Sequence, residues 1–182
     1  MFLAVNGQNE STSKSPKNNF YLCLGPGIFS GKEKSGFSFY SGVVWSREFT
    51  SDENGATKTG NFNLKLRGLK MITSGNENTS GRRLRSFDLL IGTTFGKHFQ
   101  FNMAGGIGIG EDSEWVIVYN NNPYIIPQGY NRYFYEPNFP LELSIRVVPA
   151  KYVGISFCTF LNLNSTNSTY GFNFKILFGR IY

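Results

Sequence analysis

The sequence predicts an all-β chain folded as an eight-stranded antiparallel up-and-down barrel that spans a membrane. Three observations lead there. Large apolar residues alternate with small or polar ones in eight successive segments. The alternation continues through Phe172-Asn-Phe-Lys-Ile-Leu-Phe-Gly-Arg-Ile-Tyr182, where Phe172, Phe174, Ile176, Phe178 and Tyr182 share one face. No apolar run approaches the ~18–20 residues of a transmembrane helix, whereas a barrel strand needs only about 9–11.

Period-two alternation places strands at 19–30, 36–49, 60–73, 84–96, 98–110, 138–148, 152–163 and 169–182. The first is imperfect around Gly25-Pro26-Gly27. The second sets Phe37, Phe39, Val43 and Trp45 against Ser38, Gly42 and Ser46. The third sets Phe62, Leu64 and Leu66 against Asn63, Lys65 and Arg67, and loses its rhythm after Gly68. The fourth opposes Phe87, Leu89 and Ile91 to Ser86, Asp88 and Gly92. The fifth opposes Phe99, Phe101, Met103, Ile107 and Ile109 to Gln100, Asn102, Ala104, Gly106 and Gly108. The sixth opposes Phe139, Leu141, Leu143, Ile145 and Val147 to Glu142, Ser144 and Arg146. The seventh opposes Val153, Ile155, Phe157, Leu161 and Leu163 to Gly154, Ser156 and Asn162.

The second face decides which way the barrel is turned. A soluble barrel of the lipocalin kind, secreted and holding an apolar ligand, puts large apolar residues inside and long charged ones outside. Here the second face is Gly, Ala, Ser and Asn with a few charges, which suits the narrow polar lumen of a small membrane barrel. Short turns at Gly96-Lys97-His98 and Pro149-Ala150-Lys151 fall at one end, and longer loops at 111–137 and 164–168 at the other. The connection Thr50 to Thr59 is long for the turn end.

Composition bounds the rest. The 182 residues suit one barrel domain at 19–182; 16% are charged, 16% aromatic and 21 are Gly. The formal charge of +6 is dispersed, which argues against nucleic acid and leaves anionic lipid as a partner. Residues 1–18 read as a signal-peptide remnant, with Val5-x-Gly7 as cleavage site, followed by a disordered polar stretch. Cys23 and Cys158 are too few for a disulfide scaffold and fall two strands apart, so free thiols are expected. Nothing in the sequence calls for a cofactor or a metal.

The chain resembles the OmpA/OmpX-like small eight-stranded outer-membrane barrels, in pattern over 19–182 and most specifically in the last strand. That strand looks like the signal read by the outer-membrane assembly machinery. Lys175 and Tyr182 match it; Leu177 stands where a Gly is expected and Arg180 where an aromatic is expected. The segment from Pro140 to Ile155 also looks like a strand-turn-strand of that family. The resemblance implies the outer membrane of a Gram-negative-type bacterium, membrane lipid and lipopolysaccharide as surroundings, and a non-enzymatic structural, surface-interaction or narrow-pore role.

Three groups of residues are candidates for function. Lys65, Arg67, Asp88, Glu142, Arg146 and Lys175 carry charge on the lumenal face and are expected to form a paired polar network. Trp115, Tyr119, Tyr124, Tyr130 and Tyr133 make the loop 111–137 aromatic, as an interaction loop or lid requires. Arg82, Arg83 and Arg85 lie before the fourth strand, predicted outside, where guanidinium forks suit lipopolysaccharide phosphates. A lipid-modifying outer-membrane enzyme would need His98 beside a Ser and a carboxylate. There is no Gly-x-Ser-x-Gly elbow, so no catalytic residue is assigned. Gly105-Gly-Ile-Gly-Ile-Gly110 lacks the spacing of a dinucleotide loop and reads as small lumenal residues.

Overall fold

A computed structural model describes residues 17–32, 35–53, 56–73, 83–118, 128–165 and 168–181. Eight strands follow one another: β1 (Asn18–Gly31), β2 (Ser35–Glu53), β3 (Ala56–Thr73), β4 (Arg83–Phe95), β5 (Phe99–Val118), β6 (Gln128–Ala150), β7 (Val153–Leu163) and β8 (Thr169–Arg180). Each pairs antiparallel with the next, and β1 pairs with β8 to close the barrel. Residues 1–16, where the signal remnant is expected, and Tyr182 lie outside the described residues.

The two faces divide as the alternation predicts. Phe37 and Phe87 are 69% and 70% exposed on the outer wall, while Arg67 and Glu142, at 2% and 1%, face inward. The outer belt mixes Leu, Ile, Met and Phe, including Leu64, Leu89, Met103, Leu143, Phe157, Phe174 and Ile176, with Phe20, Phe62, Phe99 and Tyr152 toward one end and Phe37, Tyr135 and Tyr170 toward the other. So continuous an apolar wall suits lipid rather than water. The soluble ligand-binding alternative required an apolar lumen and a polar exterior, and the arrangement is the reverse.

Two strand pairs run further than the sequence predicts. The connection expected at Thr50 to Thr59 is mostly ladder: β2 and β3 pair out to Glu53↔Ala56, so only Asn54 and Gly55 separate them. The loop expected at 111–137 is corrected likewise. β5 and β6 remain paired from Gly108↔Asn138 to Val118↔Gln128, leaving 119–127. Trp115-Val-Ile-Val118 and Tyr133-Phe-Tyr135 have strong β preference. The apolar rhythm stops at Glu111 because a wall beyond the lipid no longer needs an apolar face, so periodicity alone underestimates the strands.

The interior is filled in layers. Phe29, Leu69, Met71, Leu84 and Phe160 are buried toward the loop end, and Tyr21, Val44, Val148, Leu177 and Ile181 toward the turn end. The apparent loss of rhythm after Gly68 is this apolar layer, because Leu69 and Met71 keep the inward phase. Gly171 makes room for it: a Cβ there would come within 2.7 Å of the Phe160 ring and 2.2 Å of the Ile28 carbonyl oxygen. The closing seam runs from Phe20↔Arg180 to Leu24↔Ile176 and resumes at Gly27↔Asn173. Gly25 and Pro26 interrupt it; Pro26 has no N–H to donate to a ladder.

Candidate functional site

Between the apolar layers lies a polar girdle centred on Glu142 of β6. Lys65 Nζ of β3 is 2.8 Å from Glu142 Oε2, and Lys175 Nζ of β8 donates to Oε1. Cys158 Sγ donates to Oε1 at 2.9 Å, and Tyr40 OH to Oε2 at 3.4 Å. Lys175 Nζ also stands 4.0 Å above the Tyr40 ring. Strands β2, β3, β6, β7 and β8 therefore converge on one carboxylate.

A second cluster forms around Asp88 of β4. Arg67 reaches Asp88 Oδ2 through Nε at 2.8 Å and Nη2 at 2.7 Å. Ser86 Oγ donates to the same oxygen at 2.8 Å, Asn138 Nδ2 donates to Oδ1 at 2.7 Å, and Arg67 Nη2 also donates to Asn162 Oδ1. Nearer the turn end, Arg146 Nη1 donates to Tyr21 OH, and Thr94 Oγ1 accepts from Asn63 and Asn102 at 2.7 and 2.9 Å. Charges removed from water are tolerable only when paired and hydrogen-bonded. All six lumenal residues predicted from the sequence face inward, each 4% exposed or less, but they fall in three groups: Lys65 and Lys175 on Glu142, Arg67 on Asp88, and Arg146 on Tyr21. Tyr40, Cys158 and Tyr21 were missed as partners. Their signal was parity: Tyr40 is in phase with Ser38 and Gly42, and Cys158 with Ser156.

The aromatic candidates fall on the β5–β6 hairpin. Tyr119 and Tyr124 lie outside the described residues, and the backbone of Trp115 is opposite Asn131 within the ladder. Tyr130 and Tyr133 are strand residues, both about half exposed. On β5, pairing to β4 ends at Ser113; on β6, pairing to β7 ends at Phe139. Among the described residues, 114–118 and 128–132 therefore pair only with each other, and β6 from Gln128 to Asn138 has no strand on its β7 side.

The arginine group is also corrected. Arg82 lies outside the described residues, but Arg83 and Arg85 belong to β4, not to a loop, because β3 pairs with β4 up to Ile72↔Arg83. His98 sits exposed in the turn between β4 and β5, its Nδ1 3.2 Å from the Val148 carbonyl oxygen. Among the described residues no group of three or more His, Cys, Asp or Glu is placed to hold a metal. Cys23 and Cys158 are free and buried, as expected.

No family model matches the sequence, and no curated protein does. Solved structures do match. The attachment invasion locus protein Ail of Yersinia pestis superposes with a TM-score of 0.56 at 9% identity, over 90% of this chain and 97% of that one. Ail has also been solved with the heparin analogue sucrose octasulfate, and that structure superposes with a TM-score of 0.57. Neisserial surface protein A gives 0.54 at 8% identity, over 91% and 99%. At such identities the likeness concerns the fold. The chain has the fold of these small eight-stranded barrels.

Proposed function

We propose that the chain resides in the outer membrane of a Gram-negative-type bacterium and acts there as a surface-interaction protein through its β5–β6 hairpin. The observation that carries this reading is the hairpin itself. Among the described residues it extends past both neighbouring strands, exposes Tyr130, Tyr133 and Tyr135, and leaves the β7-side edge of β6 without a strand partner from Gln128 to Asn138. An unpaired edge with aromatic side chains offers main-chain hydrogen bonds and contact area to a partner. The Ail complex with a heparin analogue makes sulfated glycans one class to try.

Solute passage is less favoured, because the polar girdle and the apolar layers together occupy the lumen. A non-enzymatic role is supported by the same packing, since the lumenal carboxylates are engaged by cations. His98 belongs to the turn end rather than to that network.

The test is excision. Removing residues 114–132 deletes none of the ladder that joins β5 to β4 or β6 to β7. Cells displaying the full chain or the excised one would be scored for adherence to immobilised heparin. The excised barrel should keep its heat-dependent gel mobility and lose adherence. Equal adherence by both chains would refute the hairpin's role.

A further inference from the structure

The outer wall carries a pair of like charges that sequence reading did not join. Lys70 of β3 lies directly opposite Arg85 of β4, and both side chains are exposed outward, one step beyond Gly68 and Phe87 toward the loop end. Like charges facing each other across a ladder destabilise it unless an anion sits between them. Arg85 approaches Glu111 on its other side no closer than 3.9 Å, with its own side chain 43% exposed. Lys70 has no ion-pair partner among the described residues.

Immediately beneath this pair the belt is notched. Ser41 and Gly68 are cross-strand partners, and neither fills its outward position. The result is an apolar groove of about 700 Å³, walled by Leu24, Val43, Leu66, Phe87 and Ile109. A second outer groove, about 650 Å³ around Thr159, has no charged residue in its lining among the described residues. The two grooves are alike in size; what sets the first apart is register, which places Lys70 and Arg85 one outward position above Gly68 and Phe87, just outside the groove itself.

We propose that the outer face of β2–β4 binds the lipid A part of lipopolysaccharide, with a phosphate between Lys70 and Arg85 and an acyl chain in the Ser41–Gly68 groove. The proposal rests on the outer-membrane reading above, which puts the loop end in the outer leaflet. A phosphate removes the repulsion that the pair otherwise carries. The Arg85 fork provides two parallel donors, and Lys70 adds a compact charge. The bare Gly68 backbone lets the chain lie against the wall just below. Arg85 thus takes the phosphate role expected of it, with Lys70 as a partner that the sequence did not suggest.

The experiment is native mass spectrometry of the detergent-purified full chain with three probes: diphosphoryl lipid A, dephosphorylated lipid A and phosphatidylglycerol. Variants are K70Q/R85Q, which removes the cations, Gly68→Leu, which fills the groove, and Thr159→Leu, which fills the other groove. Loss of the charge-assisted bonds should weaken diphosphoryl lipid A at least about tenfold in K70Q/R85Q, with no change for the dephosphorylated form. Gly68→Leu should weaken both lipid A forms, and Thr159→Leu neither. Unchanged retention by K70Q/R85Q, or phosphatidylglycerol held as tightly as lipid A, overturns the proposal. K70Q/R85Q relieves repulsion and should fold; if it does not, Gly68→Leu alone decides. Cell fractionation reports separately on the outer-membrane reading, so the site and the location can fail independently.

Discussion

Replacing Glu142 by Gln should be the most damaging conservative change in this chain. Among the described residues the buried lumenal charges are four cations, Lys65, Arg67, Arg146 and Lys175, against two carboxylates, Asp88 and Glu142. Glu142 alone accepts from Lys65, Lys175, Tyr40 and Cys158. Gln preserves the volume but removes the charge and turns one acceptor into a donor aimed at an ammonium. Breaking a buried ion pair from one side costs about 3–5 kcal/mol, because the remaining charge is left uncompensated. Here two ammonium groups are left, so the upper part of that range is expected. The assay is urea titration of the barrel refolded in lipid vesicles, read by tryptophan fluorescence and checked by mobility in cold SDS. E142Q/K175M should recover part of the loss, since it removes one orphaned cation. Arg85→Gln is the control: its pair with Glu111 is long and partly exposed, a kind worth about 0–1 kcal/mol. An E142Q midpoint no lower than that of Arg85→Gln would refute the network as a stabilising unit.

Three further outcomes follow from the packed interior. In planar bilayers the purified chain should give no regular conductance steps, because side chains fill the lumen at several levels; reproducible steps would contradict this. Cys23 and Cys158, 1% and 2% exposed, should resist a maleimide in the unheated compact band and react after boiling. Gly171→Ala should lower the unfolding free energy by about 1–3 kcal/mol or more, and the urea midpoint with it, since its Cβ meets both the Phe160 ring and the Ile28 backbone. An unchanged midpoint would mean that β8 is not seated against them as described.

Much of this architecture was legible in the residues, for a physical reason. Parity is fixed by the strand, so Phe99, Phe101 and Met103 declare an outer face without knowledge of any neighbour. Within the lipid that face must be uniformly apolar, and the signal is strong there. Beyond the lipid the constraint lapses, which is why β5 and β6 past Glu111 read as loop. The hairpin dipeptide Asn54-Gly55 was the available sign that β2 and β3 continue. Parity also told that Lys65, Glu142 and Lys175 point inward, but not that they meet. Their strands are not adjacent, and the contact depends on the stagger of the whole barrel. Lys70 escaped for the related reason that its place opposite Arg85 is a fact of register between two strands.

The broken rung at Gly25 and Pro26 bears on how the barrel opens. β1 and β8 are joined by no turn, so their border is where the wall can part without cutting the chain. Lys175 stands on β8 at the interrupted level, between the paired Ile176 and Asn173, and its ammonium reaches inward to Glu142 on β6. The carboxylate thus acts as a latch from inside: it tethers the last strand at the height where the ladder lets go. A lateral gap at this border would have to drag a buried cation off its counter-ion, so the interrupted stretch of the seam is held from within by an ion pair.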